Sequence, residues 1–197
     1  MSAQPTLQRR AAVAAILAAR GDALVVTGLG SPTWDASAAG DDPRNFYLWG
    51  GMGGAAMIGL GLALAQPQRR VLVLTGDGEM LMGTGSLATI GVQRAAYLAF
   101  VVLDNEHYGE TGMQATHTGA GVDLAAIAKA SLFPETMTVR TEAELQGCIT
   151  KLYGSQGPVF ATLKISTDKV PMVLPLRDGT HIKNRFREAL LGPEAFR

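Results

Sequence analysis

The sequence predicts an α/β protein, doubly wound, with a mostly parallel sheet and helices on both faces. Three observations predict it. Apolar runs of strand length alternate with helical segments along most of the chain, the order that builds a parallel sheet covered on both sides. Several runs, Leu72-Val73-Leu74 and Val101-Val102-Leu103 among them, are apolar at every position rather than every second one, as a strand buried on both faces must be. The composition, 47% hydrophobic with 24 glycines in 197 residues, suits tightly packed layers in one domain with a substantial core.

Taken in order, Pro5 to Arg20 reads as the first helix, stopped by Gly21. Leu24 to Thr27 is a strand entering the glycine-rich turn Gly28-Leu29-Gly30-Ser31-Pro32 and a short helix. Phe46 to Trp49 is the next strand. Ala55 to Ala65 is a helix with no polar face, which asks for burial on most sides and so for a subunit contact. Val71 to Leu74 is a strand, Met80 to Gly91 a helix and Tyr97 to Leu103 a strand. Asn105 to Gly121 is a long polar loop, of the kind that is functional or mobile in compact domains. Leu124 to Ala130 (helix), Thr136 to Val139 (strand), Glu142 to Tyr153 (helix) and Val159 to Ile165 (strand) complete the pattern. Thr141 and Glu144 have capping-box spacing. Residues 1–170 are expected to form the domain. Residues 171–197 are expected as a tail with a short helix near Ile182 to Leu191, part of the same domain or of a subunit interface.

Charge and composition exclude several function classes. The 17 basic and 17 acidic residues cancel, so there is no electrostatic case for binding nucleic acid. The single cysteine, Cys148, excludes an internal disulfide and a Cys-based zinc site and is expected as a buried structural thiol. The apolar stretch Arg10 to Ala19 is too short to span a bilayer and runs directly into a strand, so a cytoplasmic protein with no membrane partner is expected.

The chemistry gathers where two strands end. Leu72-Val73-Leu74-Thr75 stops at Gly76-Asp77-Gly78-Glu79, and Val101-Val102-Leu103 stops at Asp104-Asn105-Glu106-His107-Tyr108-Gly109. Buried parallel strands present ligands at their carboxyl ends. An aspartate on one tip and an asparagine on another offer hard oxygens to one small cation, and Mg²⁺ takes such ligands sparingly, leaving room for water and phosphate. Upstream, Gly50-Gly51-Met52-Gly53-Gly54 separates a short strand from the small-residue helix.

Together these motifs resemble the signature of thiamine-diphosphate enzymes, GDG followed about thirty residues on by an Asn-containing turn. The resemblance covers residues of about 10 to 165, the diphosphate-binding domain; the Pro43-Arg44-Asn45-Phe46-Tyr47 lead into Gly51-Met52-Gly53, and Leu87-Ala88-Thr89-Ile90-Gly91 after GDG, narrow the likeness to sulfopyruvate and phosphonopyruvate decarboxylases. It implies thiamine diphosphate and Mg²⁺ as cofactors. Asp77, Asn105 and the backbone carbonyl of His107 would bind the metal. Gly76, Gly78, Glu79, Tyr108 and Gly109 would border the cofactor, with Thr27, Gly28 and Leu29 near its diphosphate. Met52 would prop it in a bent shape, while the Gly50 carbonyl receives its aminopyrimidine. His117 and Gln114 are the expected substrate contacts. A small 2-oxo acid would lose CO₂ and leave as an aldehyde. Such enzymes need a second, pyrimidine-binding domain that supplies an activating glutamate, and none of this chain's glutamates sits in that context. A separate α subunit, in an α₂β₂ or larger assembly, is therefore implied.

Other readings stand beside this one. A carboligase, a 2-oxo acid oxidoreductase subunit and a regulatory subunit that keeps the fold would share the motifs. Gly51, Gly53 and Ala56 also fit a G-x-G-x-x-A dinucleotide fingerprint, with Asp77 placed as its ribose-binding acid.

Overall fold

The structure is a computed structural model and describes residues 7–196. Six parallel strands form the main sheet: β1 (Leu24–Thr27), β2 (Asn45–Tyr47), β3 (Val71–Gly76), β4 (Leu98–Asp104), β7 (Glu135–Val139) and β8 (Val159–Lys164). Their order is β2-β1-β3-β4-β8-β7. From β1 the chain first goes outward to β2, then returns to lay β3 on the other side of β1. This reversal opens a crevice at the carboxyl ends of β1 and β3, where doubly wound sheets bind ligands.

Alternation along each strand sends neighbouring residues to opposite layers. Val25, Leu72, Leu74 and Val101 pack with α1 (Arg9–Ala18) and α7 (Glu142–Gly154) through Val13, Ile16, Leu145 and Leu152. On the other face, Leu24, Val26, Val71 and Val73 meet α3 (Ala55–Ala65), α5 (Ser86–Gln93) and α6 (Leu124–Ala130) through Leu60, Leu87, Ile90 and Leu124. The short α2 (Ser31–Ala38) follows β1. Thr141 caps α7 as its spacing predicts: its Oγ1 accepts from the Glu144 amide at 3.3 Å while Glu144 Oε2 accepts from the Thr141 amide at 3.0 Å. Cys148 is buried in this layer, and burial pushes its thiol up to about 12.

Three expectations are corrected. The first helix begins at Arg9, because Leu7 instead forms a parallel bridge to Ile165 beyond the end of β8; Pro5 and Thr6 lie outside the described residues. The helix expected over residues 80–91 is two: α4 (Asp77–Met82) and α5. Between them a Cβ on Gly83 would stand 2.5 Å from the Gly53 carbonyl oxygen, so close passage of the Gly53 loop sets the break. The 105–121 segment is not a plain loop. It folds as an antiparallel hairpin, β5 (His107–Tyr108) with β6 (Gln114–Ala115), then a 3-10 turn at His117–Ala120. Helix α3 lays Ala56, Gly59, Leu60 and Ala63 against the sheet and turns the apolar Met57, Ile58 and Leu64 outward.

The tail helix α8 (Gly179–Leu191) packs on the β2 edge, with Phe186 edge-on to Phe46 at 5.6 Å between ring centroids and Arg185 bridging Asp41 at 2.6 Å. Among the described residues no helix is long and apolar enough to cross a membrane.

Candidate functional site

A cavity of about 510 Å³ opens at the carboxyl ends of the strands. β3 delivers Gly76 and Asp77 to it, β4 delivers Asn105, and the hairpin folds back over both with His107, Tyr108 and Gly109. Leu29, Met52, Gly78 and Glu79 complete the set of expected residues on its wall.

Asp77 begins α4 and is 3% exposed. Its Oδ2 accepts from Thr116 Oγ1 at 2.6 Å and, more loosely, from Thr118 Oγ1 at 3.3 Å. Burial is the main force raising its carboxyl to about 6; the Thr116 hydroxyl opposes the rise and the charge of Asp104 adds to it. Asp104, equally buried, is treated differently. It holds Lys164 Nζ at 2.7 Å and accepts from Thr118 Oγ1 at 2.8 Å. Each hydroxyl has one proton, so the short contacts assign Thr116 to Asp77 and Thr118 to Asp104.

Asn105 Oδ1 accepts from the His107 amide at 3.0 Å, which fixes the turn leaving β4. The Thr116 amide donates to the Glu106 carbonyl at 2.8 Å, so His107 stands opposite Ala115 in a non-bonded pair of the ladder. The alternation thereby leaves the His107 carbonyl outside the hairpin's own bonding. A carboxylate, an amide oxygen and a main-chain carbonyl are hard neutral-to-anionic oxygen donors, the chemistry that suits Mg²⁺.

Two neighbouring features hold the wall in place. A Cβ on Gly78 would lie 2.5 Å from Tyr108 Cε1, so only glycine lets the β3 tip pack against the hairpin. Glu79 is buried with its Oε2 accepting from the Leu29 amide at 2.9 Å, tying the loop after β1 to the start of α4, and burial raises its carboxyl above the usual range. Oε2 thus serves the scaffold, while Oε1 is buried at the cavity border with no hydrogen-bond partner among the described residues.

The remaining expected residues are not on the wall. Thr27 is buried with its hydroxyl 2.5 Å from that of Thr33, and Gly28 offers its carbonyl to Thr33 Oγ1 at 2.6 Å. Gly50 is exposed, two residues before Met52. Gln114 and His117 are exposed outside the cavity, and Gln114 turns back to Thr111 through two bonds of 2.9 Å; the expected substrate contacts are not brought to the site. The residues that sequence reasoning missed are Thr116 and Thr118, which serve the carboxylates, and Arg9, Ser31 and Glu110, which line the cavity. The Thr-rich stretch after the hairpin was the available signal for the first two; nothing local marks the others.

Comparison with known proteins adds the lineage. The family model for the thiamine pyrophosphate enzyme C-terminal TPP-binding domain matches residues 30–162. The chain belongs to this family. It is 37% identical to the sulfopyruvate decarboxylase subunit beta of Methanothermobacter thermautotrophicus over 94% of this chain and 97% of that protein. It is 35% identical to the phosphonopyruvate decarboxylase of Streptomyces viridochromogenes over 88% of this chain, but only 44% of that protein. Among solved structures, a thiamin diphosphate-dependent enzyme from Mycobacterium smegmatis superposes with a TM-score of 0.71 at 23% identity, covering 82% of this chain and 32% of that one, a likeness of fold. Membership also disposes of the dinucleotide fingerprint. Gly51 to Ala56 follow the edge strand β2 rather than a strand at the switch point, and Asp77 opens a helix with its carboxylate bound to Thr116.

Proposed function

We propose that this chain is the metal- and diphosphate-holding subunit of a thiamine-diphosphate-dependent 2-oxo acid decarboxylase of the sulfopyruvate or phosphonopyruvate kind, which releases CO₂ and an aldehyde. One observation carries the reading: Asp77, a buried carboxylate held by the Thr116 hydroxyl and paired with no lysine or arginine among the described residues, shares a cavity wall with Asn105. Full-length similarity to a sulfopyruvate decarboxylase subunit beta supports it.

When bound, thiamine diphosphate supplies the electron sink that allows a 2-oxo acid to lose its carboxylate as CO₂. In this reading the Asp77 and Asn105 side chains and the His107 carbonyl would hold Mg²⁺. Gly76 and Gly78 would admit the diphosphate close to the backbone, Met52 would support the cofactor, and the Gly50 carbonyl would receive its aminopyrimidine. Tyr108 and Gly109 wall the cavity from the hairpin side. Gln114 and His117 have no part in it.

The same reading calls for a companion pyrimidine-binding subunit that brings the activating glutamate, in an α₂β₂ or larger assembly. The relative matched over nearly its whole length is named as a beta subunit, and the outward face of α3, with Met57, Ile58 and Leu64, is an apolar surface that a companion would cover.

The test is calorimetric titration of thiamine diphosphate with Mg²⁺ into this chain, alone and mixed with its candidate partner, with NAD in parallel. Tight thiamine diphosphate binding in the mixture is expected. In Asp77→Ala, affinity should fall at least about a hundredfold, the upper end of what losing even an outer contact costs a metal site, with the circular dichroism unchanged. Normal affinity in that variant would sink the assignment of Asp77, and a wild-type mixture that binds only NAD would sink the whole reading.

A further inference from the structure

Among the described residues, Arg9 is the one lysine or arginine on the cavity wall. Asp77, Glu79 and Glu110 share that wall, so the protein alone presents an excess of negative charge to whatever enters. Mg²⁺ on Asp77 and Asn105 would answer one anionic group. A ligand set with a further acid group needs a second cation, and the fold supplies one.

The placement of Arg9 follows from the chain path. The bridge between Leu7 and Ile165 brings the N-terminal segment to the carboxyl edge of the sheet, so α1 starts there with Arg9 as its first residue. Its side chain is 12% exposed; Nε donates to Asp35 and Nη1 to Ser31 Oγ at 2.8 Å. Asp35 is fully buried and receives Arg10 Nε on its other oxygen at 3.0 Å. Asp35 lies between the two guanidiniums, Glu110 on the cavity wall is close enough to feel the charge of Arg9, and of Arg9, Arg10 and Asp35 only Arg9 reaches the cavity. A guanidinium fixed by two partners loses little further freedom on meeting an oxyanion, which it matches in shape and charge. Arg44, Arg94 and Lys129 lie away from the cavity: Arg44 pairs with Asp42 at 2.7 Å, Arg94 caps α5, and Lys129 is exposed on α6.

We propose that Arg9, held by Asp35 and Ser31, is the residue that receives a tetrahedral oxyanion in this cavity. The shared chemistry is a sulfonate, phosphonate or phosphoryl group, and its source is either the second acid group of the 2-oxo acid or the diphosphate of the cofactor. The choice of sources rests on the decarboxylase reading; the anion clamp itself rests on the placement of Arg9.

The experiment has two arms. In the first, inorganic phosphate and sulfate are titrated into this chain as wild type, Arg9→Gln and Arg10→Gln. The Arg10 change removes the same charge from the cluster without touching the wall. Saturable binding weakened about tenfold or more in Arg9→Gln, the worth of a charge-assisted bond, and kept in Arg10→Gln is expected. In the second, the complex with its partner subunit is assayed for thiamine diphosphate affinity and for kcat/KM with 3-sulfopyruvate and 3-phosphonopyruvate relative to pyruvate. A fall in cofactor affinity with unchanged substrate ratios places the clamp on the diphosphate. A collapse of the ratios toward pyruvate with unchanged cofactor affinity places it on the substrate. Arg9→Lys keeps the charge but not the fork, and it decides the case by the same readouts where Arg9→Gln does not fold. No saturable anion binding by the wild type, or wild-type behaviour of the folded variants in both arms, overturns the proposal. Failure of the wild-type complex to bind thiamine diphosphate would instead overturn the decarboxylase reading, and the first arm would still decide on Arg9.

Discussion

Asp35 and Asp77 are both buried at the cavity end of the sheet, and the fold provides for them in opposite ways. Asp35 is gripped by two arginines, Arg9 and Arg10. Asp77 receives only neutral donors, the Thr116 hydroxyl foremost, and no lysine or arginine among the described residues. Asp104, hydrogen-bonded to Thr118, shows that the absence of a cation at Asp77 is not for want of room: a lysine, Lys164, reaches Asp104 at 2.7 Å. A buried carboxylate paired within the chain is a structural element. One left with neutral donors keeps its charge for a cation that arrives with the ligand. The contrast separates scaffold from site without reference to any motif.

Breaking the scaffold half should produce the largest effect. Asp35→Ala leaves two guanidiniums without their shared counter-charge, and loss of one partner from a buried ion pair costs about 3–5 kcal/mol. Urea denaturation should report a loss of that order. A loss below about 1 kcal/mol, the range of exposed pairs, would mean that the arginines find water instead and that the cluster is not structural.

Asp77 should give the next effect, and with a sign that Asp35 does not share. Its carboxyl rises from 3.8 to about 6 on folding, mainly by burial. The folded chain therefore binds the proton more tightly than the unfolded chain. Its contribution is most favourable below about 4 and is lost as pH climbs through about 6, a decline on the order of 3 kcal/mol at 1.36 kcal/mol per unit. Urea midpoints of the metal-free protein measured between pH 4 and 7 should fall in wild type and fall less in Asp77→Asn. Equal slopes would show that folding leaves the Asp77 carboxyl at its unfolded value, and that burial does not raise it.

The two halves also differ in how far the sequence discloses them. Leu24 to Thr27, Ala55 to Ala65 and Leu124 to Ala130 are found where periodicity puts them, because unbroken apolar runs and small-residue helices leave little choice of layer. Asp77 and Asn105 were legible because each ends a buried strand, so the chain's own pattern fixes where they emerge. Arg9 was not, because its importance comes from the Leu7 bridge to Ile165, a contact between opposite ends of the chain. Thr116 and Thr118 were hidden for a related reason. The hairpin that carries them back has only two residues per strand, too few for an alternating pattern, and this also sent the search for substrate contacts to Gln114 and His117. The break between α4 and α5 had a local sign in Gly83 and Gly85, but the carbonyl of Gly53 that makes it necessary comes from a different loop.

The two glycines around Asp77 sharpen the distinction on a smaller scale. Gly78→Ala would drive a Cβ to 2.5 Å from the Tyr108 ring, whereas at Gly76 the nearest atom is 4.0 Å away. Overpacking of this sort costs about 1–3 kcal/mol, so Gly78→Ala should lower the melting temperature and weaken cofactor binding by displacing the hairpin. Gly76→Ala should keep the melting temperature. Equal melting temperatures would mean that Tyr108 swings aside freely and does not hold the cavity wall.

The smallest effect belongs to the hydroxyl between the two acids. Thr118 Oγ1 lies 2.8 Å from Asp104 and 3.3 Å from Asp77, and Thr116 Oγ1 lies 2.6 Å from Asp77. With one proton to give, Thr118 serves Asp104, which also has Lys164 and the Glu106 amide and so survives the loss. Thr118→Val should therefore cost about 1 kcal/mol, the net worth of one hydrogen bond, and leave Mg²⁺-dependent cofactor affinity near wild type. Thr116→Val removes the shorter bond to the Asp77 carboxylate and should weaken that affinity more than it weakens the fold. Both are read by paired urea denaturation and cofactor titration. Should Thr118→Val prove the more damaging to cofactor binding, the proton assignment would be reversed, and Asp104 with Lys164 would belong to the site rather than to its support.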